Sequence, residues 1–268
     1  MILNVCSNKK LLRRPRPYID ESLIGYIARL ADTNYYPSPN YILKISQLRV
    51  TGIYSNIFIS KIDDLCILSQ ITEVEASILW AMAFSSTNSC SSAYIFTSVV
   101  KAFGENISTS LFNKTGARFC PICWQTKAYY SQVWHLSRVT VCPFHKCFLI
   151  DTCYNCNNKI KFLRPRLFKC QCGFDLRDSQ INIANIEEFA LSFQIYKLCQ
   201  VPEIESINYN SQIQDLEAAK SNKLNNLSDY NYDLFEGLIA KEPRVRNDTF
   251  FPLLGLEKLL NFRTQMLE

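Results

Sequence analysis

Four close pairs of metal-seeking side chains punctuate the middle of the sequence: Cys120 with Cys123, Cys142 with His145, Cys153 with Cys156, and Cys170 with Cys172. The first two pairs are separated by 18 residues and the last two by 13. A tetrahedral zinc ion takes four soft or borderline donors, which two short turns can supply together. The spacing therefore predicts two Zn2+ sites, one with three thiolates and an imidazole, the other with four thiolates. One isolated pair would say little, whereas four at ribbon-like intervals are specific. Cys147 and His135 are near enough in sequence to replace a member of the first set, and that choice stays open here. Cys6, Cys66, Cys90 and Cys199 have no such neighbours and read as ordinary core thiols.

The donor count also bears on catalysis. A catalytic zinc keeps one position open for water and has a carboxylate or further histidines to move protons. Here protein side chains fill both expected sites, the chain has 2 histidines, and Asp151 is the single acid in residues 118–173. No H-E-x-x-H occurs. A cysteine nucleophile would need a base, and the best-placed histidine already belongs to a metal set. The expectation is structural zinc in a protein that is not an enzyme and has no small-molecule substrate.

Charge is distributed unevenly. Residues 1–17 carry Lys9, Lys10, Arg13, Arg14 and Arg16 with no acid, and residues 118–173 carry nine Lys or Arg against Asp151, so these segments hold 14 of the 29 basic residues. Two bound zinc ions with seven thiolates would lower the second segment's formal charge from +8 to +5, leaving it positive. Lys159, Lys161, Arg164, Arg166 and Lys169 lie between the ligand pairs of the second site and alternate with Phe162 and Phe168. Such a strip suits nucleic-acid phosphates, although a solvated loop would carry the same charges.

Around the metal segment, the patterning is mainly helical. Asp20-Glu21-Ser22 precedes Leu23, Ile24, Ile27, Leu30 and Ala31, which predicts a helix with acids at its positive end. Another is expected over residues 40–48, after Pro37 and Pro39. A helix over residues 61–68, a turn at 69–71 and a capping box Thr72-x-x-Glu75 opening a run to Met82 read as a helix-turn-helix, or equally as a plain packed pair. Ile186, Phe189, Ala190 and Phe193 follow helical spacing after an acidic start, residues 208–231 read as a short helix with linkers, and final helices are expected around Leu234 and Leu253. The uncharged stretch 76–100 is split by the polar run 85–89, so no membrane span is read. Without a secretory pattern at the N-terminus, a bacterial cytoplasmic location is the default.

The fold class is thus mainly α with small zinc-ribbon β elements. It divides into a helical, helix-turn-helix-like domain over 1–115, two tandem zinc-finger modules over 116–178, and a C-terminal helical domain over 179–268. With 48% hydrophobic and 20% charged residues, the chain has the composition of a globular protein.

Two stretches carry a resemblance. The first is Arg118-Phe-Cys-Pro-Ile-Cys, then Tyr129, Trp134, Cys142-Pro-Phe-His145, Leu149, Cys153 and Cys156. The second is Pro15-Arg-Pro17 followed by Glu21-Ser-Leu-Ile-Gly-Tyr. Together they resemble the zinc-finger signature and opening motif of the TniQ family. The resemblance implies a transposition target-selection adaptor that works with an AAA+ ATPase regulator, TnsC, and, in short members, with an RNA-guided Cascade-type effector complex. Longer TnsD-like relatives recognise a fixed target DNA sequence through added domains, and some members form homodimers. The short C-terminal region favours the adaptor, while Lys241, Arg244 and Arg246 are the basic residues there that could reach DNA.

Overall fold

Ser22 starts the first helix, α1 (Leu23–Thr33), with its side-chain oxygen accepting from the Gly25 N–H. Leu23, Ile24, Ile27, Leu30 and Ala31 are buried as the spacing predicts, and so are Gly25, Tyr26 and Ala28, which makes α1 a central helix. Gly25 answers a packing need: a Cβ there would meet the Tyr130 Cβ at 2.8 Å. The preceding acid does not serve the helix N-terminus. Glu21 is fully buried and accepts from Arg29 Nε at 2.8 Å and Nη2 at 2.6 Å, a fork-to-fork pair two turns along the helix.

The computed structural model describes residues 10–48, 58–59, 61–86, 99–113 and 116–223. Two compact units divide the chain, Met1–Ile207 and Asn208–Glu268. Ahead of α1, residues 10–17 form an extended strap. Leu11 is buried and donates its N–H to Ile71 O at 2.9 Å, while the Pro15 carbonyl accepts from Tyr26 Oη at 3.0 Å. After α1 come α2 (Asn40–Ile45), a 3-10 turn at Ile62–Leu65, α3 (Cys66–Thr72) and α4 (Ala76–Ala81).

The expected capping box at Thr72 is not formed. Thr72 ends α3 and returns its hydroxyl to Leu68 O at 2.6 Å; the turn falls at Glu73, whose φ is 58°, and α4 starts after Glu75. Two helices of seven and six residues follow one another here, with the junction after residue 72 instead of at 69–71.

A small four-stranded sheet also occupies this part of the chain. Its strands are β1 (Phe58–Ile59), β2 (Phe84–Ser86), β3 (Val99–Ala102) and β4 (Glu105–Ser108), in the order β1-β2-β3-β4. The β1–β2 pair is parallel and the other two are antiparallel. A second, two-stranded sheet joins β5 (Val141–Cys142) to β6 (Cys147–Phe148). Between the sheets lies α5 (Pro121–Thr126), and after them α6 (Ile186–Leu198), capped by Asn185.

Buried aromatic rings run through the core of the first unit. Phe84 meets His135 at 5.2 Å, His135 stacks on Phe162 at 4.7 Å, Phe162 meets Tyr130 at 5.0 Å, and Tyr130 meets Trp124 at 5.0 Å. Phe119 closes the row, stacked on Trp124 at 4.0 Å. Each such pair contributes about 0.5–1.5 kcal/mol beyond its buried area. The row links the four-stranded sheet to the loops that carry the cysteine pairs.

The second unit contributes one described helix, α7 (Tyr209–Lys223). The helices expected around Leu234 and Leu253, the cations Lys241, Arg244 and Arg246, and Cys6 and Cys90 lie outside the described residues. Among the described residues, no helix is long and apolar enough to cross a membrane.

Candidate metal centres

Cys120 sits at the N-cap of α5, where its sulfur accepts from the Cys123 N–H at 3.5 Å, and Pro121 fixes the first turn. The dipole and free N–H groups of a helix start favour negative charge on such a sulfur. Cys142 ends β5, and the following knuckle turns through Lys146 at φ 51° before β6 returns with Cys147 opposite Cys142. This brings His145 Nδ1 to 3.5 Å from Cys120 Sγ, 3.2 Å from Cys123 Sγ and 3.5 Å from Cys142 Sγ. Cys123 Sγ and Cys142 Sγ are 3.7 Å apart.

Zinc can be tested against these edges. With Zn–S near 2.3 Å and Zn–N near 2.0–2.1 Å, a tetrahedron has S···S edges of about 3.8 Å and S···N edges of about 3.6 Å. The observed distances match that cage to within a few tenths of an ångström. All four donor atoms, and separately those of Cys153, Cys156, Cys170 and Cys172, lie within 4.8 Å of one another. In the second set, Cys153 and Cys172 are 3.7 Å apart and Cys156 and Cys170 3.6 Å apart. Its two turns pass through left-handed residues, Asn157 at φ 56° and Gly173 at φ 88°. Asn155 and Asn158 add side-chain N–H donors to Cys172 at 3.6 Å and Cys156 at 3.4 Å, which stabilise charged sulfur.

The two cages differ in exposure. Cys120 and Cys142 are buried with Cys123 half-buried, whereas Cys156 and Cys170 are half-buried and Cys172 is exposed. Cys120 is driven far down by its neighbours Cys123, Cys142 and Cys147, while Cys123 and Cys142 are pushed up, Cys142 chiefly by burial. Cys172 falls to about 6, with the Phe174 N–H as the largest cause.

Of the two substitutes left open by the sequence, Cys147 lies beside the first cage, its sulfur 3.6 Å from Cys120 Sγ. His135 lies elsewhere, fully buried in the aromatic row, and burial depresses its pKa to about 3. Cys199 is buried, as expected of a core thiol, but Cys66 is exposed.

Several residues that charge patterning treats as surface cations turn inward. Arg164 is 4% exposed. Its Nη1 donates to Tyr130 Oη at 2.7 Å and to Lys161 O at 2.6 Å, Nη2 donates to Leu167 O, and the guanidinium lies 5.5 Å from the Trp124 ring. It braces the loop from within, and its burial sets it apart from the exposed members of the basic strip. Arg118 likewise reaches the carbonyls of Ser137 and Val139 at 2.8 and 3.0 Å. Lys159, Lys161, Arg166 and Lys169 remain exposed, with Lys159 paired with Asp151 at 2.8 Å and Arg166 with Asp32 at 3.3 Å.

The loop inside the first cage is fastened to the helices that precede and follow it in the chain. Ser22 N donates to Tyr130 O at 2.8 Å, Gln132 N to Asp20 O at 2.7 Å, and Tyr129 Oη to Asp20 Oδ1 at 2.8 Å, so the start of α1 grips the loop inside the first cage. Towards the end of the same loop, Ser192 Oγ of α6 accepts from Thr140 N and Val141 N, at 3.3 and 3.2 Å. Sequence reasoning missed these side chains because their partners are 50 or more residues away.

Fold and site together define a mainly helical protein organised around two four-donor Cys/His clusters that could each hold a metal ion. The family model described as TniQ matches residues 12–149, just over half of the chain, from the strap through the first cage. The chain belongs to the TniQ family, whose role is target selection in transposition. No curated protein matches it.

Proposed function

We propose that this protein is a non-enzymatic adaptor in transposition, joining a target-recognition complex to the AAA+ regulator TnsC, with two structural Zn2+ ions holding its partner-binding faces in place. The observation that carries the proposal is the attachment of both the start of α1 and α6 to the loop between the first cage's ligand pairs. Each cage has four protein donors, so bound zinc is coordinatively filled and braces the fold. When bound, zinc supplies stabilisation by fixing two turns to each other; binding and folding are then one equilibrium. An RNA-guided Cascade-type complex is the recognition partner that the family resemblance favours, with direct, TnsD-like reading of target DNA as the alternative.

Co-expression tests this. A tagged, zinc-loaded full chain should retain TnsC, an RNA-guided complex, or both, through affinity and size-exclusion steps. A zinc-loaded, monodisperse chain that retains neither, yet selects one duplex sequence strongly over random DNA at physiological salt, would replace the adaptor with the sequence-reading alternative.

A further inference from the structure

The strongest unexplained feature outside the cages is at the end of α1. Tyr36 N donates to Ala31 O at 2.9 Å and Tyr35 N to Asp32 O at 3.0 Å, the bond pattern of a Schellman cap. The left-handed position of that cap normally takes glycine, yet here it holds Tyr35 at φ 59°, a residue 66% exposed. A β-carbon in this conformation costs about 1–2 kcal/mol, with no compensating burial of the ring.

The ring instead organises charge. The Arg13 guanidinium carbon lies 4.9 Å from its centroid and that of Arg166 5.6 Å. These arginines come from the two basic segments of the sequence, residues 1–17 and 118–173, which meet at this ring. Arg13 is positioned by its backbone, whose N–H and carbonyl pair with the Asn34 side chain at 2.8 and 2.7 Å, and its Nη1 reaches Thr33 O at 3.3 Å. Arg166 is steadied by Asp32 at 3.3 Å, the single carboxylate paired with this group among the described residues. Two exposed guanidiniums with one acid between them retain net positive charge and most of their N–H donors.

We propose that Arg13, Tyr35 and Arg166 form a binding site for the sugar–phosphate backbone of a nucleic acid. Guanidinium forks match phosphate oxygens in pairs, and an aromatic ring that aligns two forks reduces the ordering cost of engaging successive phosphates. The site reads no bases, so its binding is independent of sequence and depends on salt. It adds to the adaptor function and does not rest on it.

The test is fluorescence anisotropy of the zinc-loaded full chain with a labelled random duplex, the matching single strand and an RNA of the same length, across a salt series. The R13Q/R166Q double variant, with unchanged zinc content, should lose about tenfold or more in affinity, and its log K versus log salt slope should fall by about two. Tyr35→Gly keeps the cap and should weaken binding while leaving the melting temperature unchanged or raised. The duplex, single-strand and RNA arms identify the source of the phosphates. Absence of salt-dependent binding by the wild type, equal affinity and slope in R13Q/R166Q, or polyglutamate competing as well as nucleic acid at equal charge would overturn the proposal. Separately, loss of nucleic-acid binding with TnsC retention intact would bear on this site alone.

Discussion

The indole N–H of Trp134 donates to the Tyr196 hydroxyl over 2.6 Å, joining the loop inside the first cage to α6, 62 residues away. Both partners are buried, Tyr196 to 1% exposure. Tyr196→Phe leaves the indole donor unsatisfied in an apolar setting, which costs about 1–3 kcal/mol. Urea unfolding should show that loss, with zinc content unchanged.

Glu21 and Arg29 form the buried ion pair beneath the strap, where burial pushes the Glu21 carboxyl up and the Arg29 hydrogen bonds oppose it. Removing one partner strands the other charge. Arg29→Met should therefore destabilise the protein by about 3–5 kcal/mol, whereas adding Glu21→Gln should restore part of the loss. A double-mutant cycle from chemical denaturation measures the coupling, and strictly additive losses would contradict it.

The cages should release metal in order. Cys172 is exposed, whereas Cys120 and Cys142 are buried, so a chelator reaches the second cage first. A chromogenic chelator should record two phases of equal amplitude. In Cys172→Ser the faster phase should disappear or speed up markedly, while the slower one keeps its rate.

His135 supplies a pH signature. Burial lowers its pKa from 6.5 to about 3, so between those values the unfolded chain binds a proton that the native chain does not. Its contribution is complete above about 6.5 and is lost as pH falls towards 3, at up to about 1.4 kcal/mol per pH unit. His135→Phe should flatten the dependence of unfolding free energy on pH by about that slope. Parallel curves for variant and wild type would show that the ring does not control it.

Local chemistry was legible in the sequence where one element decides it. The helices expected after Ser22 and from Ile186 form as α1 and α6, and the eight metal-seeking residues gather in the two sets of four that their spacing predicts, with Cys147 and His135, which spacing left open, outside both. The four-stranded sheet was not legible, because strands of two to four residues are too short for alternation to stand out in the sequence and β1 pairs with β2 from 26 residues away. Charge patterning likewise could not separate Arg164 from Lys161. What distinguishes them is Tyr130 and Trp124, which meet Arg164 only in the folded chain. The expected turn at residues 69–71 moved because Thr72 back-bonds to α3 and Glu73 adopts the left-handed conformation.

Metal content of the freshly purified full chain, paired with zinc-edge X-ray absorption, tests the two cages most directly. A protein braced as described here should carry two zinc ions per chain. Its averaged inner sphere should hold about 3.5 sulfur and about 0.5 nitrogen donors per zinc, with sulfur near 2.3 Å. One zinc or fewer per chain, or an oxygen donor in the inner sphere, would contradict the assignment.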